Sequence, residues 1–278
     1  KPFTERDLNI FNLLASQCAI SIENAKLVTV QIQQEALNRE IKIARDIQQN
    51  LLPSKLPEIS GIDIFATLIP AKLVGGDYYN IYKINETETL FLICDVTGKS
   101  ISASLIVSTI YSSIVTYFDL KKDKFDLKDF VKCLNRVLIE STTSEKFVTA
   151  WFGIYNSETK IIQSINAGHN TTFIFKKDGT YIELIKGGVF LGISDMDFES
   201  EDFQMESEDV LLYYTDGVPE AMNANVEQYS DERLISNVQK NIKSGVEDIL
   251  NELLNDVKSF VKDADQSDDI TIGVVKIK

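Results

Sequence analysis

Leu90-Phe91-Leu92-Ile93-Cys94-Asp95-Val96-Thr97-Gly98 places five consecutive apolar residues directly before an acid. An unbroken apolar run of this length, rich in branched and aromatic side chains, reads as a strand buried on both faces. The carboxylate that follows is thereby carried to a sheet edge. The same pattern recurs at Val210–Tyr214, which runs into Thr215-Asp216-Gly217. Asp268 and Asp269 stand immediately before the strand pattern Ile270–Ile277, and Asp77 stands before Tyr78–Ile84, after Gly75-Gly76. In antiparallel neighbours the end of one strand lies beside the start of the next, so all four positions can meet at one edge.

Working outward, further strands are expected at Ile62–Leu68, Phe147–Tyr155, Ile161–Asn166, Thr172–Phe175 and Tyr181–Leu184. Helical periodicity marks Ser102–Phe118, Leu127–Glu140, Asp231–Ile242 and Val246–Val261. Short connections such as Lys176-Lys177-Asp178-Gly179 favour antiparallel pairing, and helices come in pairs between strand groups. The pattern is that of an α+β domain with packed sheets inside and helices outside.

From Phe3 to about Leu52 the chain reads as one helix, opened by Thr4 with Glu5 and Asp7 and stopped by Pro53 and Pro57. Within it Leu27, Val30, Gln34, Leu37, Ile41, Ala44, Gln48 and Leu51 alternate spacings of three and four, a heptad seam with Gln34 and Gln48 at two a positions. A homodimeric coiled coil is the expectation; an amphipathic helix lying on its own domain is the alternative.

The chain has 278 residues and 28 Lys and Arg against 42 Asp and Glu, a net charge of −14. Such a surface repels phosphate backbones and anionic membranes, which argues against a nucleic-acid or direct membrane partner. Cys18, Cys94 and Cys133 show no CxxC spacing, lie in apolar stretches and fit a reducing, cytoplasmic setting. No run reaches the roughly 18 apolar residues of a membrane span. Because the first residue is Lys1, an upstream anchor stays open.

Two carboxylates about 4 Å apart repel by roughly 4 kcal/mol at an effective dielectric of 20, so four together call for a cation. Carboxylate oxygens without a Cys/His cluster select hard ions such as Mg²⁺ or Mn²⁺ rather than zinc. Two such ions can share a carboxylate and activate a water for attack on phosphorus. Singly, each aspartate beside a glycine is an ordinary turn residue; only the joint pattern carries the chemistry.

Val74-Gly75-Gly76-Asp77-Tyr78-Tyr79-Asn80, Asp95-Val96-Thr97-Gly98-Lys99-Ser100, Asn166-Ala167-Gly168-His169-Asn170, Gly188-Val189-Phe190-Leu191-Gly192-Ile193, Tyr214-Thr215-Asp216-Gly217-Val218 and Asp268-Asp269-Ile270-Thr271 resemble, in order, the motifs of bacterial type-2C metal-dependent Ser/Thr phosphatases of the SpoIIE/RsbU-like branch. Ala44–Pro53 resembles the helix preceding that catalytic domain. The resemblance implies a four-layer α/β/β/α sandwich of two central antiparallel sheets with metals at their shared edge. It implies that Asp95 bridges two Mn²⁺ or Mg²⁺ ions, that Val96 offers its carbonyl, that Asp216 and Asp268 hold one ion, and that Asp77 acts directly or through water. Asp77 and Asp95 are the catalytic positions on this reading. The substrate it implies is a phosphorylated STAS-type anti-anti-sigma protein of a partner-switching pathway.

Residues 1–26 resemble the last helix of a GAF sensor, 27–56 form the linker helix, and 57–278 the phosphatase domain. A shift of the seam would then move the element around Asp77. Lys99, Ser100, Asn80 and Phe190 depart from the usual His, Gly, Asp and Pro, so a catalytically weak or inactive module acting as a dimeric signalling protein is the alternative. Gly98-Lys99-Ser100 lacks the earlier glycine of a P-loop, Gly75-Gly76-Asp77 the continuation of a diguanylate cyclase signature, and His169 the nucleophile elbow of a triad. His169 reads as a turn residue, Trp151 as core, and Glu199–Asp209 as a solvated acidic face.

Overall fold

Leu90–Cys94 sits inside a strand flanked on both faces, and its alternation explains the continuous apolar run. Leu90, Leu92 and Cys94 pack under one helix pair, whereas Phe91 and Ile93 face the opposite sheet. In this computed structural model, which describes residues 2, 4–98, 101–121, 124–143 and 145–278, the chain divides into two units. The first, Lys1–Asp46, consists of most of the long helix α1 (Glu5–Gln49). Thr4 opens α1, its Oγ1 donating to Asp7 Oδ2 at 2.6 Å. Leu27, Val30 and Leu37 of the expected seam are exposed in the single chain.

The second unit, Ile47–Lys278, carries β1 (Ile62–Ile69), β2 (Asp77–Lys83), β3 (Glu88–Val96), α2 (Ile101–Lys121), α3 (Leu127–Ser141), β4 (Val148–Asn156), β5 (Ile161–Ala167), β6 (Thr172–Phe175), β7 (Tyr181–Leu184), β8 (Gly187–Gly188), β9 (Glu201–Gln204), β10 (Val210–Tyr214), α4 (Asp231–Asn241), α5 (Val246–Val261) and β11 (Ile270–Ile277). One sheet has the order β1-β11-β10-β6-β7, the other β2-β3-β4-β5-β8 with β9 on β5. All pairings are antiparallel except β5 with β8.

The sheets meet through Phe91, Ile93, Trp151, Leu211, Tyr213 and Val275, with Trp151 stacked on Tyr213 at 5.6 Å between ring centroids. Helices α2 and α3 cover one outer face through Val107, Ile110, Phe130 and Leu134. Helices α4 and α5 cover the other through Leu234, Ile249 and Leu253. The expected four layers are therefore present, each sheet apolar on both sides because each has a sheet on one face and helices on the other.

Several expectations change in detail. Asp77 begins β2 and Asp95 lies within β3, so these acids belong to the ladder and not to the loops beside it. Helix α2 is long and apolar enough by composition to cross a membrane, but in this fold its apolar face packs on β3 and α3. Cys94 is buried as expected, whereas Cys18 and Cys133 are exposed free thiols: α1 buries none of its residues, and Cys133 lies on a face of α3 that does not enter the core. The acidic stretch 199–209 is only partly a solvated face: it contains β9, and Asp209 is 1% exposed.

Asp209 accepts from Lys176 Nζ at 2.6 Å and from the Glu206 amide at 2.8 Å. Removing one partner of a buried pair strands the other charge, at a cost of about 3–5 kcal/mol. Asp209→Ala is therefore expected to lower unfolding stability by about that amount in urea titration; a loss below about 1 kcal/mol, the range of a surface pair, would contradict the buried role.

Candidate metal centre

The β2–β3 ladder places Asp77 directly opposite Asp95. Directly paired residues point to the same face of the sheet, so the two carboxylates lie side by side. Asp77 is 3% exposed, and its Oδ2 accepts from Thr215 Oγ1 at 2.7 Å and from Thr271 Oγ1. These threonines flank the end of β10 and the start of β11, so Asp77 ties the edges of the two sheets together.

Burial, and next the charge of Asp95, push the Asp77 carboxyl well above the ordinary range, with the threonine bonds acting in the opposite direction. The folded group thus holds its proton more tightly than the unfolded one. Its contribution to the stability of the ion-free protein is complete below about pH 4, the unfolded carboxylate value, and is lost as pH rises toward the raised folded value. Asp77→Asn removes that penalty with little change in shape. The ion-free variant is expected to melt above the parent at pH 7, the gap closing as the pH approaches about 4. A variant melting below the parent at pH 7 would contradict this account.

The segment before β2 is held from two directions. Asp269, 2% exposed, accepts from the Ala71 amide at 2.8 Å and from the Gly76 amide at 3.0 Å. Gln48 donates from Nε2 to the Gly75 carbonyl at 2.8 Å and accepts from the Gly75 amide at 3.2 Å. The heptad reading assigned Gln48 to a seam between helices; in the structure both ends of its amide are engaged by the segment that leads to Asp77. Leu51, also read as seam, packs against the core. A Cβ at Gly75 would overlap the Asp269 carboxylate, and one at Gly76 would overlap the Val96 carbonyl and stand 3.0 Å from Asp95 Oδ1.

In front of this buried layer opens a cleft of about 560 Å³. Asp95, Asp216, Glu220 and Asp268 line its acidic part, and Thr97, Phe147, Thr149, His169 and Asn170 its neutral part. Three of the acids expected from sequence are thus brought to one cavity. Asp77 lies behind Asp95, and the Val96 carbonyl lies against Gly76. Glu220, four residues after Asp216, is a cleft residue to which sequence reading gave no role. Among the described residues, no three His, Cys, Asp or Glu side chains are drawn together closely enough to enclose an ion in this arrangement. Lys99 and Ser100, whose departures from the motif were noted, lie outside the described residues.

His169 is a turn residue, as expected, but a buried one that reaches the cleft. The Asn166 side chain secures the turn, accepting from the His169 amide at 2.8 Å and donating to the His169 and Asn170 carbonyls at 3.2 Å each. Its Nδ1 lies 2.9 Å from Thr149 Oγ1, and Thr149 pairs with Asp95 across β3 and β4. Burial lowers the imidazole pKa to about 4, an effect that the Tyr214 carbonyl opposes. The ring is therefore neutral at pH 7.

The donors offered to a cation are therefore carboxylate and carbonyl oxygens, a set that suits hard divalent ions and not zinc. Asp95, half-buried beside the buried Asp77, and the other carboxylates of the cleft carry negative charge that a cation would offset.

Two facing sheets between helix pairs, with an acid-lined cleft at one common edge, define a domain of the PP2C phosphatase fold. The SiaA-PP2C domain of Pseudomonas aeruginosa superposes with a TM-score of 0.76 at 16% identity, over 88% of this chain and 98% of that one. The RsbU and RsbW domains of Rv1364c from Mycobacterium tuberculosis give 0.69 at 17% identity, over 82% and 63%. The chain belongs to the SpoIIE family: residues 85–278 match the family described as Stage II sporulation protein E. It is 31% identical over 256 residues to the phosphoserine phosphatase RsbU of Bacillus subtilis, covering 89% of this chain and 72% of that protein. It is also 26% identical to protein IcfG of Synechocystis over 90% of this chain, spanning 43% of IcfG.

Proposed function

We propose that this chain is a cytoplasmic phosphoserine/phosphothreonine protein phosphatase dependent on two Mn²⁺ or Mg²⁺ ions. The observation that carries the reading is the convergence of Asp95, Asp216 and Asp268 from three distant segments into one cleft. Asp95, the Val96 carbonyl, Asp216 and Asp268 would hold the ions, with Asp77 contributing directly or through water. When bound, such ions neutralise the carboxylates and supply an activated water for in-line attack on phosphorus. Asp77 fixes the edge against which Asp95 is set, Thr149 and Asn170 present hydrogen-bonding groups to a phosphoryl oxygen, and Phe147 shields one wall from water.

The substrate class that the family resemblance suggests is a phosphorylated STAS-type anti-anti-sigma protein, freed by dephosphorylation to capture its kinase partner; the 31% identity to the phosphoserine phosphatase RsbU supports it. The long helix would pair two copies and pass on the state of a GAF-like sensor upstream. Gln48 on Gly75 is the contact that supports a link from that helix to the Asp77 segment.

A second reading, a binding module that keeps the fold without turnover, draws on the same cleft, where no three metal-ligating side chains of the described residues enclose an ion. Incubation with Mn²⁺ and candidate phosphorylated STAS proteins, followed by mass spectrometry, separates the two. Metal-dependent loss of phosphate supports the enzyme; retention of phosphate on every candidate, together with no turnover of an aryl phosphate, supports the module.

A further inference from the structure

The acidic part of the cleft poses an electrostatic problem of its own. Two divalent ions would offset the four carboxylates of the lining, but a phosphate monoester is itself a dianion near neutral pH, and among the described residues the lining holds no Lys or Arg to meet it. His169 cannot supply the charge, because its buried ring is neutral. Among the described residues, Lys146, in the connection that enters β4, brings an ammonium against two residues of the lining, Thr97 and Gly98. Its Nζ donates to the Thr97 carbonyl at 2.7 Å, and Thr97 lines the cleft.

Three features make this a built position. Gly98, also in the lining, has φ +91 and no side chain; a Cβ there would stand 2.7 Å from Lys146 Nζ, so the ammonium rests where a side chain would otherwise be. The base of the lysine is clamped, because Thr97 and Phe147 exchange bonds: the Thr97 amide donates to the Phe147 carbonyl at 3.1 Å and the Phe147 amide to Thr97 Oγ1 at 3.2 Å. Finally, Lys146 forms no ion pair with a carboxylate of the described residues, and the Thr97 carbonyl is its one side-chain hydrogen-bond acceptor among them. An ammonium has three donors, so two remain for a ligand.

We infer that Lys146 is the phosphate-recognition residue of this cleft: its ammonium, poised over Gly98 by the Thr97 carbonyl, binds a non-bridging oxygen of the substrate phosphoryl group. The inference rests on the phosphatase reading. It assigns Lys146 to substrate binding and leaves the ions to the carboxylates. A compact point charge of this kind suits phosphate, and its contribution is felt equally by substrate and by inorganic phosphate as product.

The test uses the whole chain with Mn²⁺, comparing the parent with Lys146→Met and Lys146→Arg. Three quantities are read: inhibition by inorganic phosphate, the KM and kcat for a phosphoserine peptide, and Mn²⁺ binding by calorimetry without phosphate. Loss of one charge-assisted hydrogen bond predicts that Lys146→Met weakens phosphate inhibition and raises KM about 10- to 100-fold, with kcat changed far less and Mn²⁺ binding preserved. Lys146→Arg should recover most of the phosphate affinity. Unchanged phosphate inhibition in a folded Lys146→Met protein would overturn the inference while the parent's turnover upholds the enzyme. Parallel loss of Mn²⁺ binding would also overturn it, since Lys146 would then serve only to hold the 95–98 turn. A parent that binds no Mn²⁺ and hydrolyses nothing would overturn the phosphatase reading itself.

Discussion

Asp95→Asn is expected to lower metal-dependent turnover of a phosphoserine peptide by about 10³-fold or more, with the fold retained. Asp95 is the acid that both faces Asp77 across the ladder and lines the open cleft. Asparagine keeps its size but removes the charge that would bridge two cations. A factor of about 10³ corresponds to roughly 4 kcal/mol of transition-state stabilisation, within what bound ions supply to a phosphoryl centre. The fold should survive because the substitution also relieves repulsion against Asp77, which is buried beside it. Circular dichroism and Mn²⁺ calorimetry alongside the assay distinguish loss of chemistry from loss of structure. Activity within about ten-fold of the parent would show that Asp95 is not the bridging group.

Gly217→Ala should be nearly as damaging, for a steric reason. A Cβ at this position would overlap the Asp269 carbonyl oxygen and stand 3.4 Å from the Asp268 Cβ. Gly217 has no positive φ, so the effect is one of close approach and not of backbone strain. The obstructing atom is backbone, anchored by the ladder of β11, and cannot swing away as a flexible side chain would. The methyl group must therefore push apart the two segments that carry Asp216 and Asp268. Overpacking of this kind costs about 1–3 kcal/mol of stability. A displacement of about 1 Å between cooperating groups costs about 10² in rate. Urea titration and peptide turnover would test both figures. A variant with parental activity would mean that the two segments need not hold their present spacing.

The layers were legible because the centre of β3, Leu90–Cys94, and all of β10 are unbroken apolar or aromatic runs, which a strand sandwiched between a sheet and helices requires. Strands β8 and β9 were not, since Gly187-Gly188 has no side chains to read and Glu201–Gln204 alternates too weakly on an edge. The heptad rhythm through Gln48 and Leu51 shows that periodicity identifies a helix face but not what covers it. Here the covering is the Gly75 backbone and the domain core. Asp269 looked like a second member of an acidic pair, yet its carboxylate is spent on two backbone amides. Lys146 carried no signal at all, because a lysine before a strand is commonplace until its distance to Thr97 is known.

Local order along the chain by itself determined the main strands and the helices, though not β8 and β9, and that acids sit at several strand ends, since these follow from side-chain size and alternation between neighbours. Tertiary structure alone decided which acid is buried, which lines the cleft and which merely pins a loop. Asp77 meets Thr215 across 138 residues and Thr271 across 194. Separations of that size are closed only when two sheets pack face to face, and the resulting desolvation, which no local pattern encodes, raises the Asp77 carboxyl well above its ordinary range.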